Sequence, residues 1–168
     1  MTPLTWNSLG KQAAAFVASS FNNERRYLFD SCQAALQIDG YGRAFNSNIL
    51  NHNRSFFTKR QLLADYQFSF CPENSLYPGY YTEKIPEAFA CGTIPIGYAD
   101  HHVYQDFNEG SFINLVEYLP YGISHSLAEV LASLTSEISF LSTPLISSPI
   151  KICELQYFLQ KVVEASLA

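Results

Sequence analysis

The sequence predicts an α/β domain, a Rossmann-like parallel sheet with helices on both faces. Apolar runs at residues 13–18, 66–71, 93–98 and 111–116 have strand length, and the first is continuously apolar, as suits a strand covered on both faces. Segments with helical spacing lie between them. Each connection is long enough for the crossover that parallel neighbours require. An α+β domain with a mixed sheet is the runner-up.

Residues 1–12 show no periodicity and form a lead-in. The run 13–18 stops at Ser19 and Ser20, and Asn22, Asn23 and Glu24 supply cap-type residues for a helix over 25–36. Its apolar face is Tyr27, Leu28, Cys32, Ala35 and Leu36. Residues 38–43 read as a very short strand running into a glycine-rich turn. The Asn-rich stretch 44–57, with His52 and Arg54, reads as an exposed loop. Thr58 is the expected cap of a helix through residue 64, and the strand at 66–71 follows. After a loop at 72–84, a helix reaches Cys91, and Gly92 stands where a C-terminal stop is needed. Pro95 marks 93–98 as irregular or near an edge. A turn and short helix over 101–108, a strand at 111–116 and a helix over 124–140 capped by Ser124 complete a domain spanning 13–141. Residues 142–149 form a Ser/Thr/Pro linker, and 150–168 a terminal helix packing on the domain.

Composition removes several functions. The 168 residues suffice for one domain, or one domain with a tail. A hydrophobic fraction of 48% with 15% charged residues describes a core-forming chain. The net charge of −5 argues against a nucleic-acid binder, which needs a basic face. Any anion must therefore be met by a few placed cations. Phe and Tyr supply nearly all of the 15% aromatic content, and a Phe-rich core accounts for most of it. Cys32, Cys71, Cys91 and Cys153 include no C-x-x-C pair, so buried thiols in a reducing compartment are expected. The N-terminus lacks the basic and apolar regions of a signal peptide. No apolar run approaches the roughly 20 residues of a membrane span. A cytoplasmic chain, or a soluble piece of something longer, is expected.

The loop at 72–84 has an unusual composition for a connector: three tyrosines, a glycine, two prolines and Glu83-Lys84 at a helix start. A strand followed by a polar turn and a helix is where open α/β sheets receive anions. Neither G-x-G-x-x-G nor a P-loop is present, nor is there a D-x-D pair for a divalent cation. Positive side chains must then meet a diphosphate, and Arg25 and Lys84 both open helices directly after strands. Arg offers a fork to phosphate and Lys a point charge; the plain alternative is two solvated surface cations. His101 and His102 diverge as sequence neighbours and carry little case for a metal. Ser75 and Ser111 lack a nucleophile elbow. Glu73, at a strand end, suits a buried hydrogen-bond acceptor that shapes the loop better than a general base.

Taken together, Tyr66-x-Phe68, Glu73-Asn74-Ser75, the run from Gly79 to Lys84, Thr93-Ile94-Pro95-Ile96, Asp106-Phe107-Asn108 and Ser111-Phe112-Ile113 resemble the signature region of α-1,3/1,4-fucosyltransferases, glycosyltransferase family ten. Phe16-Val17-Ala18-Ser19, Arg25 and the run Asp39 to Arg43 fit upstream in the same order. The likeness covers roughly residues 14–118; the last fifty match only as helical filler. It implies the C-terminal, donor-binding half of a GT-B enzyme that transfers fucose from GDP-fucose, with inversion, to a GlcNAc or glucose hydroxyl of a glycan. It further implies that Arg25 and Lys84 neutralise the diphosphate without an obligatory metal or other cofactor, and that Asn74, Tyr80 and Glu83 contact fucose, ribose or phosphate. Arg26 is the alternative to Arg25 if the helix register slips by one.

Three departures from the family pattern stand out. Family members are about twice as long, and their N-terminal half binds the acceptor glycan and supplies the general base. No catalytic base is therefore assigned in this chain, and the acceptor is expected to meet a missing or separate domain. A non-catalytic GDP-sugar-binding or interaction module is the alternative function. Pro86 lies in the first turn after Lys84, and Gly97-Tyr98-Ala99-Asp100 replaces the family's aromatic-glycine strand end. The resemblance places a bacterial-type member in the cytoplasm or peripheral to a membrane, and a Golgi member only with an N-terminal anchor.

Overall fold

The computed structural model describes residues 13–46, 56–122, 125–129 and 145. The lead-in, the linker apart from Leu145, and the terminal helix lie outside them.

Five strands form one sheet: β1 (Ala13–Val17), β2 (Gln37–Tyr41), β3 (Phe68–Phe70), β4 (Ile94–Gly97) and β5 (Ile113–Asn114). Their order is β2-β1-β3-β4-β5, and every pairing is parallel. The register sets Ala14 beside both Ile38 and Phe68, Phe68 beside Ile94, and Ile96 beside Ile113. The helices are α1 (Asn23–Gln33), α2 (Phe56–Leu63) and α3 (Lys84–Ala90). Successive strand residues point to opposite faces. Ala14 and Phe16 thus pack with Leu28, Phe29 and Cys32 of α1, while Ala15 packs with Leu63 of α2 and with Cys91. Cys71, just after β3, joins Ile85 and Ala88 of α3 in a third cluster. Helices therefore cover both faces, as the crossovers demand.

The phenylalanines gather under α1. Phe16, Phe21, Phe29, Phe45 and Phe70 form one aromatic cluster, with Phe16 and Phe70 edge-to-face at 4.8 Å between centroids. Gly40 leaves room for Phe45, whose ring would lie 2.2 Å from a Cβ at that position.

Several boundaries differ from the sequence expectation. Asn22 caps α1 by accepting the Arg25 amide at 2.8 Å, so the helix opens two residues earlier than Arg25. Helix α2 begins at Phe56, so Thr58 lies inside it and is not its cap. Tyr66 turns out of β3, and its hydroxyl donates to Asp39 Oδ2 at 2.8 Å. Strand β5 stops at Asn114 because Leu115–Tyr121 winds into a 3-10 helix. Part of the expected loop at 44–57 is a 3-10 turn, Arg43–Phe45. Residues 125–129 are helical within the expected 124–140 helix, whose remainder lies outside the described residues. Gly92 has φ +83, the left-handed conformation that ends α3 where expected.

Candidate donor site

The chain leaves β1 toward β2 on one side and returns to place β3 on the other. The reversal opens a crevice at the carboxyl ends of β1 and β3, the position where open parallel sheets receive ligands. A cavity of about 270 Å³ lies there. Phe16 to Ser19 of β1 and its exit, and Ser69 to Cys71 of β3 and its exit, form part of its wall. Arg25, Lys59, Asn74, Glu83 and Lys84 supply its charged and amide groups.

Arg25 owes its place to the cap. With Asn22 fixing the first turn of α1, Arg25 turns inward and is 5% exposed. Its Cζ sits 5.0 Å from the Phe16 ring centroid, so the aromatic cluster supports the guanidinium. Nη1 donates to Ser20 O at 2.8 Å and to Asn74 Oδ1 at 3.2 Å. Nε, also buried, has no hydrogen-bond partner. A buried donor left unmatched is costly, so this guanidinium still has a hydrogen bond to gain. Burial lowers the guanidinium's pKa, and the nearby Glu73 charge opposes that shift. Arg26, the register alternative, is exposed and lies over the Phe21 ring at 4.2 Å. It does not line the cavity.

Opposite Arg25, the loop after β3 is organised by one carboxylate. Glu73 is 1% exposed and accepts the Thr82 amide at 2.7 Å, the Thr82 hydroxyl at 3.0 Å and the Lys84 ammonium at 2.5 Å. Lys84 also donates to Thr82 Oγ1 at 2.9 Å. The expectation that Glu73 shapes the loop matches this geometry. Charge, not a helix end, carries the site on this side, because α3 is only seven residues long. Pro86, third in α3, is tolerated because a first-turn N–H has no intrahelical partner. Glu83 precedes the helix without a side-chain cap bond. Its carboxyl is held below its usual range, first by its own backbone amide and then against some desolvation by Lys84 and other neighbours.

Four of the five candidate residues, Arg25, Asn74, Glu83 and Lys84, thus share one cavity. Tyr80 does not line it. It sits half-buried in the loop's turn, its amide donating to Tyr77 O at 2.9 Å. The following Tyr81 hydroxyl donates to Asp106. His101 and His102 pair with Glu117 and Asp100 respectively, and neither lines the cavity. Lys59 was missed by sequence reasoning, because it follows no strand directly and its partner, Glu87, is 28 residues away. Ser69, also in the lining, carries no sequence signal beyond its place in β3.

Sheet order, two-sided helical cover and a cation-lined crevice at the reversal define a Rossmann-like domain. The chain belongs to glycosyltransferase family 10: the model for that family's fucosyltransferase C-terminal region matches residues 7–141. It is 36% identical over 106 residues to the α-(1,3)-fucosyltransferase FucT of Helicobacter pylori, covering 62% of this chain and 21% of that protein. It is 26% identical over 119 residues to the putative fucosyltransferase R654 of Acanthamoeba polyphaga mimivirus, covering 64% of this chain and 20% of the relative. Among solved structures, a crystal structure of an α1,3-fucosyltransferase superposes with a TM-score of 0.68 at 27% identity, covering 82% of this chain and 40% of the other. A second, with GDP-fucose, gives 0.63 at 28% identity, covering 78% and 37%. The chain therefore spans about a fifth of the curated relatives it matches and about two fifths of the solved ones.

Proposed function

We propose that this chain binds GDP-fucose in the crevice between β1 and β3 and serves as the donor half of an inverting fucosyltransferase acting on a GlcNAc or glucose hydroxyl of a glycan. The observation that carries this reading is Arg25, a buried guanidinium that lines the switch-point cavity together with Lys84 and whose Nε has no hydrogen-bond partner. Arg25 and Lys84 flank the diphosphate; Asn74 and Glu83 contact ribose, phosphate or fucose. Tyr80, outside the lining, reaches the donor only if the loop rearranges on binding.

In the transfer, the bond between the anomeric carbon and the β-phosphate oxygen breaks and its electron pair stays on GDP. The acceptor oxygen bonds to that carbon from the opposite face and gives its proton to a carboxylate base contributed by an acceptor-binding domain. Preorganised cations stabilise the charge developing on the leaving diphosphate, the largest single contribution such a site makes. In this reading no divalent metal is obligatory.

Calorimetric titration of the chain with GDP-fucose and GDP, with and without Mg²⁺, tests the proposal. Binding of both, unchanged by Mg²⁺, is expected. Absence of binding sinks the donor reading, and a strict Mg²⁺ requirement sinks the assignment of the diphosphate to Arg25 and Lys84. Binding without transfer, once an acceptor domain is supplied, favours a non-catalytic GDP-sugar-binding module.

A further inference from the structure

The donor reading leaves one cation at the cavity without a role. Lys59 lines it together with Arg25 and Lys84, and its ammonium lies 2.5 Å from Glu87 Oε2, linking α2 to α3. Lys59 is also among the charges that act on the Glu83 carboxyl and the Cys71 thiol, both of which line the cavity.

The two lysine pairs differ in kind. Lys84 is held by a carboxylate that is 1% exposed and fixed by Thr82. Opening that pair strands a buried charge, which is expensive. Lys59 and Glu87 are 25% and 32% exposed. Water screens such a pair, and freezing two long side chains offsets much of what remains. Glu87 released from it is still solvated.

Charge balance makes the difference matter. Three cations, Arg25, Lys59 and Lys84, line the cavity with the one carboxylate Glu83, and two of the three are already held, Lys84 by Glu73 and Lys59 by Glu87, so the full charge reaches a diphosphate only where a pair opens. The weakly held pair opens at least cost. We infer that Lys59 is a third diphosphate-binding residue and that Glu87 is its resting partner, from which it turns when the nucleotide enters. This rests on the donor reading above. GDP has one more ionisable phosphate oxygen than its sugar ester, so the released lysine favours GDP over GDP-fucose.

Calorimetric titration of the full chain with GDP and GDP-fucose tests this on wild type, Lys59→Gln and Glu87→Gln. Lys59→Gln is expected to weaken GDP about tenfold and GDP-fucose less, whereas Glu87→Gln tightens GDP about threefold by freeing the lysine. A purely structural strut would leave affinity unmoved in both variants. Unchanged affinity in both, or a shift in the same direction, overturns the inference while wild-type binding keeps the donor reading intact. A wild type that binds neither ligand overturns both. Should Lys59→Gln fail to fold, Glu87→Gln decides alone: tighter GDP binding supports the inference, and unchanged or weaker binding overturns it.

Discussion

Glu73 holds the Lys84 ammonium at 2.5 Å while its own side chain is only 1% exposed. The same carboxylate takes both polar groups of Thr82, so one buried charge sets the loop's path and the position of a cavity cation. Removing it should damage fold and site together. Glu73→Ala is expected to cost about 3 kcal/mol, the usual scale for breaking a buried pair. It also leaves the Thr82 amide without its acceptor. Urea denaturation monitored by circular dichroism checks this; a loss below about 1 kcal/mol, typical of surface pairs, would contradict the role.

Arg25 and Arg26 are neighbours with opposite surroundings, and substitution should separate them. Arg25→Lys keeps the charge but loses the guanidinium whose Nη1 donates to both Ser20 O and Asn74 Oδ1. GDP affinity is expected to fall about tenfold or more. Arg26→Ala removes a guanidinium that lies over Phe21 and should leave GDP affinity unchanged, with stability reduced by about 0.5–1 kcal/mol. Titration calorimetry of both variants settles the pair, and the reverse ranking would move the site to Arg26.

Gly42 packs against the backbone of Ala18. Its φ is +89, and a Cβ there would lie 2.6 Å from the Ala18 carbonyl oxygen, at a residue that lines the cavity. Ala44 N donates to that same oxygen at 3.1 Å. Gly42→Ala is expected to destabilise by about 2 kcal/mol or more, since both strain and the clash act on the backbone. A shift in the thermal midpoint reads it; an unchanged midpoint would contradict the close approach.

Asp100 ties the loop tip to the 3-10 helix His101–Gln105, accepting from the Gly79 amide at 3.1 Å and from His102. The His102 side chain, ahead of the amides of Gly79 and His102, holds its carboxyl down at about 2 against an ordinary 3.8. A depressed carboxylate contributes fully above its ordinary value and loses that contribution as pH falls through the folded one. The Gly79 amide resonance should therefore titrate with a midpoint near 2. A midpoint near the ordinary value would show that the tie is absent in solution.

Much of the fold was readable because local rules sufficed. Asn22 caps α1 by the side-chain chemistry expected of asparagine, and Gly92 ends α3 through a backbone conformation that favours glycine. The continuous apolar run at 13–18 became β1, an interior strand flanked on both sides. The failures are tertiary. Tyr66 has strand composition, yet the hydroxyl cluster with Tyr41 and Asp39 takes it out of β3. Leu115–Tyr121 continues an apolar run but winds into a 3-10 helix. At the site, Arg25 and Lys84 were legible because each lies in the first turn of a helix that follows a strand. Lys59 was not, because its place depends on a long-range ion pair with Glu87 of α3, and no residue near it in sequence announces that contact.

The central claim is that a GDP-sugar's diphosphate lies between the carboxyl ends of β1 and β3. A crystal structure of the chain soaked with GDP measures this directly. The account predicts the diphosphate within hydrogen-bond distance of the Arg25 guanidinium and the Lys84 ammonium. A nucleotide bound elsewhere, with Arg25 Nε still unpartnered, would contradict it.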